Sequence, residues 1–149
     1  MRISTKGRYS LEVLLYLALI EETREARESF ASTREIAENT GYSEGYLEQL
    51  FIPLRKAGLI HGVRGPLGGY YLAKTPEEIR AGDILRAVEG PLQPAACIDE
   101  ELCPDAKACP SRRTWYAIYE CIIGTVDTIT LADLREVYKH GNAEPEYTI

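Results

Sequence analysis

Three cysteines recur at equal intervals in the second half of the sequence: five residues separate Cys97 from Cys103, and five separate Cys103 from Cys109. Prolines within and beside this segment predict a loop. Zinc-binding pairs usually have shorter gaps of about two to four residues. Three thiolates on one loop can instead hold an iron–sulfur cluster if a fourth ligand comes from elsewhere. The alternative is a set of three incidental, partly buried thiols. Cys121 lies in a helical apolar pattern, which favours packing over ligation.

Length and composition limit the compartment in which these thiols act. The chain has 149 residues, of which 45% are hydrophobic and 27% are charged, so a folded domain with a core is expected. The longest apolar run, residues 13–20, falls well short of the roughly 20 residues that a membrane helix needs. The amino terminus has no secretory pattern. We therefore expect a cytoplasmic protein without membrane association, whose cysteines bind metal or sense redox conditions.

The acidic charge is unevenly distributed along the chain. The net charge is −6, but residues 1–90 carry 12 basic and 13 acidic side chains, whereas residues 91–149 carry 5 and 10. The segments before Glu12 and between Glu48 and Glu77 contain basic residues and no acids. Phosphate binding depends on local basic surface, so DNA remains a possible partner.

Two short helices follow one another in the first half of the chain. The first is predicted to start at a capping box formed by Ser32 and Glu35 and to end at Gly41. The second is predicted over residues 44–57, with Ser43 as its cap. Two short helices joined by a tight glycine turn are typical of a helix-turn-helix, although other helical corners share this pattern.

Two strand-like segments come next, residues 59–63 and 70–74, separated by a tip rich in glycine and proline. This pattern predicts a β-hairpin, and a hairpin after a helix-turn-helix is a winged helix. The expected fold is therefore mainly α with a small β-hairpin. Pro53 is expected to bend or end the second short helix near its middle, so base-reading residues should precede it.

Further helices are predicted on both sides of this unit. A first helix covers residues 4–21, another starts at Thr75, and a long helix with an apolar stripe is capped by Ser111. Thr130 caps a last helix over residues 131–138. The polar residues beyond these helices are expected to form a mobile tail.

Glu48 and Gln49, with Tyr46 one turn away, occupy the predicted exposed start of the second short helix. A glutamine can pair with adenine, and a carboxylate can accept a hydrogen bond from cytosine. An ordinary solvated helix face is the alternative for these residues.

Arg64 and Gly65 lie at the predicted wing tip, where an arginine can enter a minor groove or merely keep a turn soluble. Lys6 and Arg8 lie in the first turn of the first helix. Their amides and charges together suit a phosphate, although basic side chains at a helix start are unfavourable for the helix dipole.

The sequence resembles the Rrf2 family of bacterial winged-helix regulators, and within it the iron–sulfur cluster regulators. The resemblance spans most of the chain and is carried by residues 4–9, 46–51, 54–59, 64–70 and 129–134 and by the three spaced cysteines. It implies a homodimer on double-stranded promoter DNA and a 2Fe–2S cluster on Cys97, Cys103 and Cys109. It also implies that Glu48 and Gln49 read bases and that Arg64 enters the minor groove.

The same resemblance divides the chain by role. Residues 1–90 would form the DNA-binding domain and residues 91–110 the cluster-binding loop. Residues 111–140 would form the dimerisation and C-terminal helices, and residues 141–149 a flexible tail. Genes of cluster assembly or sulfur metabolism would be the targets, and iron–sulfur assembly proteins would be possible partners.

One position departs from the family pattern. The cluster regulators carry a histidine three residues after the last cysteine, where this chain has Arg112. A guanidinium has no free lone pair and is a poor ligand. The fourth ligand therefore stays open, with Glu12 of the partner subunit's first helix or Cys121 as candidates.

Two other functions remain in competition with a cluster-sensing regulator. One is a family repressor without a cluster, which responds to thiol modification or to a partner protein in cysteine metabolism. The other is a redox carrier or thiol enzyme, which the lack of a substrate motif and of a Cys-x-x-Cys pair disfavours. The sequence predicts a regulator and not an enzyme.

Overall fold

The computed structural model describes residues 3–25, 30–99, 101, 103, 105 and 108–141. The elements follow the chain as α1 (Thr5–Thr23), α2 (Thr33–Thr40), α3 (Glu44–Lys56), β1 (Ile60–Val63), β2 (Gly69–Leu72), α4 (Ala81–Glu89), a 3-10 helix (Ala96–Ile98), α5 (Arg112–Val126) and α6 (Leu131–His140). The prediction of a mainly helical winged helix-turn-helix is confirmed. Most of the predicted tail lies outside the described residues.

The core forms around α1, whose buried residues recur with helical spacing. Val13, Leu14 and Leu17 are fully or almost fully buried, as expected for one face of an amphipathic helix. The helices α3, α4 and α6 each contribute leucine or isoleucine side chains to the same core. In addition, Phe51 of α3 stacks on Tyr70 of β2 at a ring distance of 4.0 Å. Helix-turn-helix and wing therefore share one core.

The wing is a two-stranded antiparallel hairpin that is joined to the segment before α2. Ile60 pairs with Leu72 and Val63 with Gly69. Ala31 forms a bridge to Tyr70, with N–H···O distances of 3.0 and 2.8 Å in the two directions. A Cβ at Gly69 would lie 2.2 Å from the carbonyl oxygen of Ala31, so only glycine permits this approach. The base of the wing is thus held beside the start of α2.

Pro53 was expected to bend or end α3 near its middle, and the helix does not end there. The helix continues past Pro53 to Lys56, and the N–H of Ala57 donates to the carbonyl of Pro53 at 2.9 Å. Proline removes one backbone donor, but the flanking Leu50 and Leu54 are fully buried. Their packing keeps this last turn helical.

The helix expected to start at Thr75 begins later, at Ala81. Thr75 and Glu78 form a separate capped turn, and the backbone of Ile79 is used elsewhere: its carbonyl accepts from the N–H of Leu131 at 2.8 Å. This long-range bridge keeps the segment before Ala81 extended. Such a contact leaves no signal in the local sequence.

Of two predicted caps, one forms in part and the other does not form. The Ser32 hydroxyl accepts from the N–H of Glu35 at 3.1 Å, but the Glu35 carboxylate binds Arg24 instead of returning to the cap. Ser111 makes no capping hydrogen bond, and its Oγ lies 3.2 Å from Sγ of Cys109. The local prediction identified the right helix starts and overestimated the number of capping contacts.

Candidate nucleic-acid interface and cysteine loop

The first half of α3 presents polar side chains opposite a buried stripe. Ser43 caps the helix, with its Oγ 3.3 Å from the N–H of Tyr46. The buried stripe of leucines and Phe51 faces the core, so Glu48 and Gln49 are exposed on the outer face. Sequence reasoning placed both residues correctly on the surface of the second helix of the motif.

Tyr46 occupies a different environment from its two neighbours. It is half-buried, and its ring meets the edge of the Tyr9 ring at 5.8 Å. Tyr9 in turn stacks on Tyr42 at 4.0 Å, and the guanidinium of Arg8 lies 5.7 Å from the centre of the Tyr9 ring. This aromatic cluster fixes the start of α3 against the start of α1. Tyr46 therefore contributes packing to the motif.

The wing tip is exposed on all sides. Arg64 and Gly65 are both exposed, and Gly65 has a φ of +114°, a value that favours glycine. The N–H of Gly68 closes the turn on the carbonyl of Gly65 at 2.9 Å. Leu67 beside them is 87% exposed. The tip thus carries one cation and one apolar side chain, both accessible.

A polar groove lies between the start of α2 and the wing, and three arginines line it: Arg34, Arg55 and Arg64. Sequence reasoning assigned a role only to Arg64. Arg55 approaches the wing at Gly62, where an added Cβ would lie 3.9 Å from the Arg55 Cζ. The acid-free segment around Arg55 was the available signal for it. Arg34 pairs with Glu38 along α2 at 3.0 Å, and its place in the groove depends on the tertiary structure.

Lys6 and Arg8 are exposed in the first turn of α1, but the amides around them are already bound within the protein. The N–H groups of Ser4 and Gly7 donate to Oε1 of Glu89 at 2.9 and 3.0 Å. The Lys6 amide donates to the Ser4 hydroxyl at 3.1 Å. The expectation that these amides bind a phosphate is therefore wrong, which leaves only the side chains of Lys6 and Arg8 for such contacts.

The three loop cysteines are half-buried free thiols. Cys97 lies in the 3-10 helix, and Cys109 lies close to the start of α5. The Ser111 hydroxyl and the amides of Ser111 and Arg112 lower the pKa of Cys109. Among the described residues, no group of three histidine, cysteine or acidic side chains is close enough to hold a metal ion. The donor chemistry suits a cluster, but this arrangement of the chain does not assemble one.

Arg112, which replaces the family's histidine, contacts the backbone of the first loop cysteine. Its Nε lies 3.4 Å from the carbonyl oxygen of Cys97, and its Nη2 lies 3.5 Å from that of Ile98. The guanidinium therefore tethers the 3-10 helix to the start of α5. This is a structural contact that sequence spacing did not indicate.

The two candidates for a fourth ligand, Glu12 and Cys121, lie on different helices, α1 and α5. Glu12 accepts a hydrogen bond from the hydroxyl of Tyr42. Burial, and after it this carboxylate, raise the pKa of Tyr42. Cys121 was predicted to be a packing residue. In the structure it is exposed and lines an open face of α5, so no described residue of this chain packs over it. Cys121 forms no three-ligand group with the loop thiols among the described residues, and a ligand role for Glu12 would act on the loop of the other subunit.

The long helix α5 leaves its apolar side uncovered. None of its residues is buried, and Ile118 and Trp115 are 39% and 37% exposed. Ala117, Ile118, Cys121 and Ile122 line an open groove along this face. We call these four residues the α5 face. Their spacing along the helix makes a continuous apolar surface.

The sequence profile of the Rrf2 family, described as an iron-dependent transcriptional regulator, matches residues 3–136 of this chain. This chain belongs to the Rrf2 family. It is 41% identical to the HTH-type transcriptional regulator CymR of Bacillus subtilis over 97% of this chain and 96% of that protein. It is 39% identical to the regulator IscR of Serratia proteamaculans over 90% of this chain and 79% of that protein.

The fold agrees with this Rrf2 assignment. The solved structure of CymR, the global cysteine regulator of B. subtilis, matches with a TM-score of 0.73 at 38% identity, covering 91% of this chain and 97% of that one. The Rrf2 relatives are transcriptional regulators, and the prediction of a regulator and not an enzyme is confirmed. Within the described residues, no helix combines the length and the apolar character that a membrane span requires.

Proposed function

We propose that this Rrf2 protein is a homodimeric transcriptional regulator whose cysteine loop controls its binding to promoter DNA in the cytoplasm. The observation that carries the proposal is the placement of Glu48 and Gln49 on an exposed helix face beside a wing with Arg64 at its tip. A helix of this width fits the major groove, and a narrow minor groove attracts arginine.

Roles within the interface follow from side-chain chemistry. Glu48 and Gln49 would contact base edges and supply sequence discrimination. Lys6, Arg8, Arg34 and Arg55 would contact phosphates and fix the orientation on the duplex. Arg64 and Gly65 would place the wing tip in the minor groove. The nearly balanced charge of residues 1–90 supports this division, because the acidic excess lies in residues 91–149.

The α5 face supports the second part of the proposal. A large uncovered apolar surface on a helix is costly in water. A second copy of the same helix would cover it through a twofold contact, as in most homodimers. The two winged helices of such a dimer would then contact DNA about 34–36 Å apart, which is one helical turn.

Two chemistries for the cysteine loop remain in the proposal. A 2Fe–2S cluster on Cys97, Cys103 and Cys109 is supported by three thiols on one loop and by similarity to IscR proteins. When bound, such a cluster would supply a redox-sensitive or labile group. Control by modification of the thiols themselves is supported by similarity to CymR, a cysteine regulator, and by the lowered pKa of Cys109.

One measurement on anaerobically purified full-length protein distinguishes these chemistries. Visible absorption with iron and sulfide analysis should show two iron and two sulfide per subunit for a cluster protein, and loss of both in a Cys103→Ala variant. Colourless protein without sulfide would overturn the cluster and leave the thiol. The same sample should bind a promoter duplex more tightly than a scrambled duplex. Equal binding would overturn the regulator proposal itself.

A further inference from the structure

The carboxylate of Glu89 binds the start of α1 across 85 residues of sequence. Its Oε1 accepts from the N–H of Ser4 at 2.9 Å, from the Ser4 hydroxyl at 2.6 Å and from the N–H of Gly7 at 3.0 Å. One oxygen thus satisfies two of the amides that a helix start leaves unpaired. The negative charge also lies at the positive end of the helix dipole.

Gly7 makes this approach possible. It is buried, and a Cβ at this position would lie 2.6 Å from Oε1 of Glu89 and 3.2 Å from Cδ2 of Leu85. Any side chain larger than hydrogen would therefore separate α1 from the last turn of α4. The contact between Gly7 and Glu89 is the point at which these two helix ends meet.

The same contact determines where two proposed phosphate-binding side chains lie. Lys6 and Arg8 flank Gly7 in the sequence, and both are exposed. The Lys6 amide donates to the Ser4 hydroxyl, which itself donates to Glu89. If Glu89 moved, the backbone that carries both cations would lose its anchor.

Glu89 also ends the helix that leads into the cysteine loop. Gly90 follows it with a φ of +80° and turns the chain, and Leu92 is buried again two residues later. Cys97 lies eight residues after Glu89, and its carbonyl is held by Arg112 of α5. Residues 90–97 therefore form a short connection between Glu89 and the first loop cysteine.

We propose that Glu89 is a positioning residue that transmits the state of the cysteine loop to Lys6 and Arg8. A change in the loop that displaces Gly90 withdraws the carboxylate from Ser4 and Gly7. The first turn of α1 then loosens, and two phosphate contacts weaken together. The inference rests on the proposed function, because it assumes that α1 contacts DNA.

The test compares Glu89→Ala, Glu89→Gln and a matched control, Asp133→Ala. Asp133 caps α6 in the same way, accepting from the N–H and hydroxyl of Thr130 at 2.7 and 2.8 Å. The reference protein and all three variants carry Cys121→Ser, so that N-ethylmaleimide modifies only the loop cysteines. Hydrogen exchange of the Gly7 amide and the salt dependence of promoter binding are measured with and without this reagent.

We expect Glu89→Ala to lose protection of the Gly7 amide and to reduce the salt slope of DNA binding by about two units, one for each lost phosphate contact. Glu89→Gln, which keeps an acceptor oxygen, should recover part of both. Alkylation should weaken DNA binding by the reference protein and by Asp133→Ala, and should leave Glu89→Ala unchanged.

Three outcomes would overturn the inference: an unchanged salt slope in Glu89→Ala, an alkylation response equal to that of the reference protein, or an equal loss of response in Asp133→Ala. Failure of the proposed function is a separate result. In that case the unmodified reference protein would not distinguish a promoter from a scrambled duplex, whatever residue stands at position 89.

Discussion

Tyr42 donates its hydroxyl hydrogen to the carboxylate of Glu12, and so joins the turn between α2 and α3 to the exposed side of α1. The Tyr42 ring also stacks on Tyr9 at 4.0 Å. Burial raises the pKa of the Tyr42 phenol, and the hydrogen bond to the Glu12 carboxylate raises it further, because the anion would lie beside a negative charge. The hydroxyl therefore keeps its proton, and can donate this bond, at physiological pH.

Replacement of Tyr42 by phenylalanine keeps the ring and removes this hydrogen bond. We expect the free energy of unfolding to fall by about 0.5–1 kcal/mol, the value of one partly exposed hydrogen bond. Urea denaturation measures the change. Tyr138→Phe is the control, because Tyr138 is 64% exposed on α6. Equal stability of the two variants would show that the Glu12 contact contributes nothing.

Glu48 and Lys6 should differ in the kind of DNA binding that they support. Glu48→Ala should reduce discrimination between the promoter and a single-base variant by roughly 10-fold, with little effect on random DNA. Lys6→Ala should weaken binding to all duplexes and lower the salt slope by about one unit. Fluorescence anisotropy at several salt concentrations measures both. If the two variants behaved alike, the division into base and phosphate contacts would be wrong.

Cys109 should be the most reactive of the loop thiols in apo protein. Its pKa is lowered mainly by the hydrogen bond from Ser111. A larger fraction of Cys109 is therefore thiolate at neutral pH than for a cysteine of ordinary pKa. Ser111→Ala should slow alkylation of Cys109 by iodoacetamide several-fold at pH 7. The rates should converge at high pH, where the thiol is ionised in both proteins. Mass spectrometry of the labelled peptides gives the rates, and identical rates at pH 7 would contradict the assignment.

A charge on the α5 face should separate the dimer. Ile118→Glu would place a carboxylate in a contact that water no longer reaches, and we expect the dimer dissociation constant to rise roughly 100-fold. Val137→Glu is a matched control, since Val137 on α6 is 42% exposed, close to the 39% of Ile118. Sedimentation equilibrium measures both variants. A dimer as tight as that of the unmodified chain would show that another surface joins the subunits.

The turn before α4 should lose stability in acid. The N–H and hydroxyl of Thr75 each donate to Glu78 at 3.0 Å, and they lower the pKa of this carboxyl below its usual value. The stabilising contribution of the Glu78 carboxylate is therefore present at pH values above its usual pKa. It is lost as the pH falls through the lowered pKa of the folded protein. Glu78→Ala should lower the Tm at pH 7 and have no effect at pH 2. An equal loss of Tm at pH 7 and pH 2 would show that packing, and not the charge of Glu78, is the cause.

Local patterns were sufficient to predict the helix-turn-helix and the wing. The apolar spacing in α1 and α3, the caps Ser43 and Thr130, and the glycine-rich wing tip each act through neighbours within a few residues, so the sequence displays them directly. The same locality explains the errors. Pro53 was expected to bend or end its helix, and Thr75 to begin one. The helix does not end at Pro53 and none begins at Thr75, because packing and contacts with residues distant in sequence decide both cases.

The candidate site could be predicted only residue by residue. The exposure of Glu48 and Arg64 followed from their elements, and the equal five-residue gaps identified the three cysteines. The groove that unites Arg34 and Arg55 with the wing required the packed structure. So did the contacts that Arg112 makes with the carbonyls of Cys97 and Ile98.

By itself the sequence determined the helix-turn-helix and the wing, the exposure of Glu48, Gln49 and Arg64, and the resemblance to Rrf2 regulators with three cysteines on a loop. Only the tertiary structure decided that Glu89 accepts hydrogen bonds from amides at the start of α1, that the described side chains of the loop form no three-ligand group, and that α5 leaves an apolar face open. The physical reason is how far apart in the sequence the interacting residues lie. Periodicity and capping arise between neighbours on the chain, whereas a carboxylate that meets an amide 82 residues away does so because two helices pack at a glycine.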